Sequence, residues 1–208
     1  MKLPGRLLVA LIGVGVLAGF WAVRSNVPRA ARPTSGERVI AFGDSLVAGQ
    51  GASAGHDFVS LLSDRLKIPI VNAGWRGDTT GSALARLDRD VLARNPRIVI
   101  VLLGGNDFLR RIPTQETFAN LGSIVERVRQ HGSAVVLVGI GVGVLFDPYG
   151  AHYEALAKRT SAVLVPDILD GIIGHADLMS DSIHPNDGGY AIMAGRLEPA
   201  LRDLLRSD

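Results

Sequence analysis

Four short blocks of this chain hold residues whose types suit acyl transfer. Ser45 sits in Phe42-Gly43-Asp44-Ser45-Leu46, directly after the apolar run 38–42, so it is delivered at the end of a buried strand with Gly43 allowing a tight turn. A serine hydroxyl is a weak nucleophile at neutral pH and needs a base within hydrogen-bond reach; His184 is the candidate. An imidazole works only in one tautomer and orientation, and Asp181, three residues earlier, accepts its other N–H within a single turn. The negative charge that develops on a carbonyl oxygen needs preorganised donors. The Ser45 N–H, a glycine N–H from the segment Asn72 to Thr79 and the side-chain amide of Asn106 offer three.

The elements that must carry these residues alternate. Apolar, β-branched runs at 38–42, 68–72, 97–103, 134–140 and 162–165 predict five strands, and amphipathic runs near 57–66, 79–94, 114–131, 148–160 and 188–206 predict helices between and after them. Asp147-Pro148 reads as a cap followed by a first-turn proline, and Gly132 as a helix stop. Met193, Leu197, Leu201 and Leu204 fall at helical spacing as core contacts. Uninterrupted apolar strands separated by helices imply an α/β fold with a parallel sheet covered on both faces. Ligands then bind outside the carboxyl ends of the strands, where the four blocks converge.

Composition narrows the function classes. The 208 residues are 47% hydrophobic and 20% charged, which suits one buried core plus an extra segment. Residues 1–36 hold five basic side chains and no acid, leaving 17 basic against 20 acidic in the remainder, so no basic stripe for nucleic acid is expected. Cysteine is absent, which excludes disulfides, thiolate metal sites and a thiol nucleophile. Lys2 and Arg6 precede an uncharged run of 17 residues, 7–23, read as an uncleaved membrane anchor in preference to a removed signal peptide. The domain order expected is an anchor or signal at 1–23, a linker at 24–36 and a catalytic body at 37–208 that works outside the cytoplasm.

The four blocks Gly43-Asp44-Ser45-Leu46, Gly77-Asp78-Thr79, Gly104-Gly105-Asn106-Asp107 and Asp181-Ser182-Ile183-His184-Pro185 resemble, in order and spacing, those of the SGNH (GDSL) hydrolases, and most of all their small bacterial thioesterases, lysophospholipases and arylesterases. The resemblance spans roughly residues 38–206. It implies Ser45 as nucleophile, His184 as base and then acid, Asp181 as orienter, and Ser45, Gly77 and Asn106 as oxyanion donors, with Gly77 preferred over Gly74 because Gly-Asp-Thr follows the family's wording. It also implies a three-layer α/β/α sandwich with five parallel strands in flavodoxin-like order. Neither metal nor cofactor is implied, and the partner is a small acyl ester or thioester.

Other residues read more plainly. Asp44 and Asp107 hold loops by accepting nearby backbone N–H groups, a reading preferred to a divalent-cation site shared with Asp181. His56, His131, His152 and His175 are surface or helix-end histidines. Gly139-Ile140-Gly141-Val142-Gly143 imitates a dinucleotide loop but follows the fourth strand, so it reads as a loop near substrate. Phe108, Leu109, Val142, Val144, Leu145 and Phe146 are candidates for an acyl pocket. The same triad also serves O-acyltransferases and saccharide acetylesterases, which is the competing reading, and a binding module that keeps the fold has no need of all four polar residues.

Overall fold

The computed structural model describes residues 32–141 and 149–206. Five parallel strands form one sheet in the order β2-β1-β3-β4-β5, with β1 at Arg38–Gly43, β2 at Ile70–Gly74, β3 at Pro96–Leu102, β4 at Ala134–Val138 and β5 at Val163–Val165. Because successive side chains in a strand point to opposite faces, each central strand feeds two cores. Val39, Ala41, Ile98, Ile100 and Val136 pack under α1 (Phe58–Leu66) and the last helix, α6 (Asp187–Leu205). Ile40, Phe42, Val99, Val101 and Val135 pack under α2 (Thr80–Asp90), α4 (Thr114–Gln130) and α5 (Gly150–Thr160). The expected α/β/α sandwich and flavodoxin-like strand order are therefore present, and Met193, Leu197, Leu201 and Leu204 are buried as expected.

Local chemistry sets the element boundaries. Asp57 caps α1 by accepting from the N–H groups of Val59 and Ser60; Thr79 and Ser82 form a reciprocal capping box at α2; Asn186 caps α6 through the N–H groups of Gly188 and Gly189. The second strand starts at Ile70, two residues later than the apolar run predicts. Ile68 N–H is used to close α1 on Ser63 O, and Pro69 has no N–H for a ladder. The second helical run, 79–94, is split, because α2 ends at Asp90 and a short 3-10 turn, Leu92–Arg94, is stopped by left-handed Asn95. One short helix, α3 at Gly105–Leu109, was not visible as a periodic pattern. The expected anchor at 7–23 and the Asp147-Pro148 cap lie outside the described residues.

The two poles of the sheet have different tasks. At the amino ends, Thr34 and Ser35, the end of the expected linker, hydrogen-bond to the carbonyls of Gly132 and His131. At the carboxyl ends, β1 lies between β2 and β3, so the chain order reverses there and opens a crevice between the loops after β1 and β3. Gly43 lets those two strands approach: a Cβ there would lie 2.1 Å from Leu102 O and 2.6 Å from Val47 Cγ2. Gly43→Ala should therefore lower stability by roughly 1–3 kcal/mol, the usual cost of forcing a methyl into a packed site, read as a lower urea midpoint with an unchanged slope.

Candidate active site

Ser45 begins a tight turn beyond β1. Ala48 N–H donates to Asp44 O and Gln50 N–H to Ser45 O, while Leu46 N–H donates to Asp44 Oδ1 at 3.0 Å, so the side chain of Asp44 splints the backbone that carries Ser45. Gly51 follows with φ +98, and a Cβ there would meet Pro185 O at 2.4 Å and the His184 Cβ at 3.2 Å. This glycine is what lets the Ser45 turn lie against the histidine loop.

The histidine arrives on a loop pinned from several sides. Met179 and Pro185 form an antiparallel bridge, and Ser180 N–H donates to His184 O at 2.8 Å. Asp181 accepts the N–H groups of Ile183 and His184 on Oδ1, both at 2.8 Å, and His184 Nδ1 on Oδ2 at 2.7 Å. Those donors, led by the Ile183 N–H and the imidazole, hold the Asp181 carboxyl down to about 2, although half of its side chain is exposed. With Nδ1–H committed to Asp181, His184 Nε2 is the acceptor, and the Ser45 Oγ lies 3.0 Å from it. Gln50 Nε2 approaches the same ring at 3.4 Å, with its own backbone carbonyl fixed by the Tyr190 hydroxyl.

Opposite the imidazole, Asn106 occupies the first turn of α3, where its Nδ2 donates to Asp78 O at 3.0 Å and lies 3.4 Å from Asp44 Oδ2. The two candidate glycines differ. Gly74 N–H already donates to Asn72 Oδ1, and a Cβ at Gly74 would collide with the Ala48 backbone, so this glycine serves packing. Gly77 has φ +74 in a turn closed by Asp78 N–H to Trp75 O, and among the described residues its N–H has no partner. Its carbonyl accepts from Arg110.

A sequence profile of the GDSL-like lipase/acylhydrolase family matches residues 41–192, the span that holds all four blocks. The chain belongs to this family. It is thereby an enzyme of carboxylic ester hydrolysis. The Esterase TesA of Pseudomonas aeruginosa is 31% identical over 201 residues, covering 91% of this chain and 98% of that protein. The Thioesterase 1/protease 1/lysophospholipase L1 of Escherichia coli is 31% identical over 185 residues, covering 85% of this chain and 89% of that protein. A crystal structure of TesA, also 31% identical, superimposes with a TM-score of 0.76 over 81% of this chain and 99% of its own.

In this GDSL-like hydrolase Ser45, Asn106 and His184 open onto a cleft of about 410 Å³. Of the candidate acyl-pocket residues, Phe108 and Leu109 line it, while Val142, Val144, Leu145 and Phe146 lie outside the described residues. Gly77 and Asp181 are not among the residues that line it. Ile140 and Gly141, from the loop after β4 that the sequence reading set near substrate, also line it; that reading missed Leu169 and Ile173, which complete the apolar lining from the loop after β5, and the carboxylates of Asp167 and Asp170 there. Asp167 caps its own loop, accepting the N–H groups of Gly141 and Leu169. The motif Asp167-x-Leu169 at the end of β5 was the available signal, an acid placed to bond the backbone two residues on.

Asp44 is the most perturbed group in the site. Burial pushes its carboxyl up to about 7, opposed by the Leu46 N–H and helped by the charges of Asp78 and Asp107. Asp107 is itself turned away, accepting from Thr80 N–H and Oγ1, so both acids hold loops as expected. A folded value raised from 3.8 means that the native state binds this proton more tightly than the unfolded chain does. The stabilisation is complete below 3.8 and is lost as pH rises through about 7. Melting temperatures of Asp44→Asn and wild type should therefore diverge in favour of the variant as pH increases across that window; a constant difference would contradict the raised value.

Proposed function

We propose that this hydrolase cleaves neutral carboxylic esters and thioesters in two steps, through an acyl-enzyme on Ser45. The observation that carries the reading is the continuous line from Ser45 Oγ to His184 Nε2, 3.0 Å, and from His184 Nδ1 to Asp181, 2.7 Å. As Oγ attacks the carbonyl carbon, its proton passes to Nε2 and the new positive charge on the imidazole faces a carboxylate held ionised. Collapse of the tetrahedral intermediate breaks the bond to the leaving alcohol or thiol, which takes the proton from Nε2. Water then repeats the sequence in reverse and releases the acid.

The oxyanion receives the N–H groups of Ser45 and Gly77 and the Asn106 amide, whose orientation is set by Asp78 O. What supports Gly77 over Gly74 is the free N–H of the former and the committed N–H of the latter. The acyl group lies against Leu46, Phe108, Leu109, Ile140, Leu169 and Ile173. Among the described residues no lysine or arginine lines the cleft, and Asp44, Asp167 and Asp170 do, which favours an uncharged acyl chain. Relatives named esterase and thioesterase/lysophospholipase support this range of leaving groups. The body works outside the cytoplasm beside a membrane, a reading supported by the uncharged run 7–23. No helix among the described residues is long and apolar enough to cross a membrane.

Ser45→Ala should abolish turnover of p-nitrophenyl butyrate while leaving the circular dichroism spectrum unchanged; residual turnover at the wild-type rate would remove the proposal. Asn106→Ala should lower kcat by roughly 10²–10³, the range for one oxyanion donor. With p-nitrophenyl esters, kcat/KM should rise from acetyl to octanoyl, because each buried methylene is worth about 0.8 kcal/mol, and should fall for acyl groups that end in a carboxylate. A flat or inverted chain-length profile would exclude the apolar cleft as the acyl site.

A further inference from the structure

Arg86 is a buried cation that the acyl-transfer steps do not use. Its side chain is 5% exposed, from the middle of α2, and every face of the guanidinium is occupied. Nε donates to Asp78 Oδ2 at 2.7 Å, one terminal nitrogen lies 2.6 Å from the same oxygen and 3.0 Å from Gly43 O, and the other lies 3.1 Å from Asp90 Oδ2. Its central carbon lies 4.4 Å from the centroid of the Phe42 ring and 5.1 Å from that of Trp75. A planar fork that serves two carboxylates and a carbonyl while lying over two aromatic rings is a task lysine cannot reproduce.

What this fork joins matters more than its burial. Gly43, whose carbonyl it holds together with Trp75 N–H, stands two residues before Ser45. Asp78, whose carboxylate it holds together with Ser82 Oγ, does two further jobs through its own peptide groups. Its N–H closes the turn on Trp75 O that keeps Gly77 at φ +74, and its carbonyl takes the Asn106 amide. The three oxyanion donors come from loops after three different strands, and one guanidinium ties the first of those loops to the second, which in turn orients the third.

We propose that Arg86 is a positioning residue that sets the geometry of the oxyanion donors by clamping Asp78 to Gly43. The proposal rests on the reading of Ser45, Gly77 and Asn106 given above. It separates two parts of the site: the imidazole and Asp181 belong to the loop before α6 and make no contact with this clamp, so their proton transfer is untouched by it.

The test is a double-mutant cycle in the full chain with p-nitrophenyl butyrate. Arg86→Met should lower kcat by roughly 10²-fold, the size of one misplaced donor, with KM within about threefold and the acid limb of the pH profile unmoved. In an Asn106→Ala background the same change should cost less than about tenfold, because the two residues act on one function. Wild-type kcat in Arg86→Met, a melting temperature that falls without loss of kcat, or losses that multiply in full with Asn106→Ala would each overturn the proposal. Should Arg86→Met fail to fold, Arg86→Lys keeps the charge without the fork and carries the same cycle. Ser45→Ala measured alongside separates the two ideas: if it retains turnover, the underlying reading fails; if it is dead and Arg86→Met is not impaired, only the clamp does.

Discussion

Parallel pairing of β1 with β2 on one side and β3 on the other is the constraint from which the site follows. Parallel strands end at the same edge, so the loops that carry Ser45, Gly77 and Asn106 must leave the sheet side by side. The pairing registers Gly43 against both Gly74 and Leu102, and glycine at 43 and 74 removes the Cβ atoms that would hold those backbones apart. The close approach is tight enough that the polar atoms above it need no long side chains to meet. Asp44, Asp78 and Asn106 meet there directly.

The two sides of this edge are held differently. The imidazole side is partly wet: Asp181 is half exposed, and its low proton affinity comes from two backbone N–H groups and the ring, not from enclosure. An exposed ion pair alone would be weak, but the i, i+3 loop gives the carboxylate three donors in fixed directions. The side that holds Asp44, Asp78 and Asn106 is dry. Asp44, Asp78, Arg86 and Asp107 are all buried, and among the described residues no buried side-chain nitrogen or oxygen lacks a partner. Burying that many charges is costly unless each is matched, which is the reason the network is so fully bonded. Asp44, with no cation beside it, is the member that burial pushes up to about 7.

These arrangements divide the chemistry sensibly. In the proposed mechanism the imidazole takes up a proton and hands it on within each half-reaction, and the partly hydrated Asp181 carboxylate behind it faces that passing positive charge. The oxyanion donors proposed above have to be in position before charge develops, and a rigid, buried network is the setting in which such donors act without reorganising. The apolar cleft meets both sides at Ser45, with Leu46 and Phe108 at its walls.

Much of this was legible in the amino-acid order because the informative signals are local. Strand runs, helix periodicity, the Asp181–His184 spacing and four blocks at strand or helix ends each lie within a few residues, where backbone geometry alone decides what neighbours can do. Features that depend on contacts between distant segments were not legible. The Ser45–His184 hydrogen bond joins residues 139 apart, and α3 is too short to show a period. Nothing in the sequence singles out Arg86 from the other polar positions of the amphipathic run 79–94, although its side chain is buried. Sequence by itself determined the fold class and the residues able to do acyl chemistry; tertiary structure alone decided which donors are free, which charges are buried and what holds them, because hydrogen-bond commitment and desolvation are properties of packed neighbours and not of residue type.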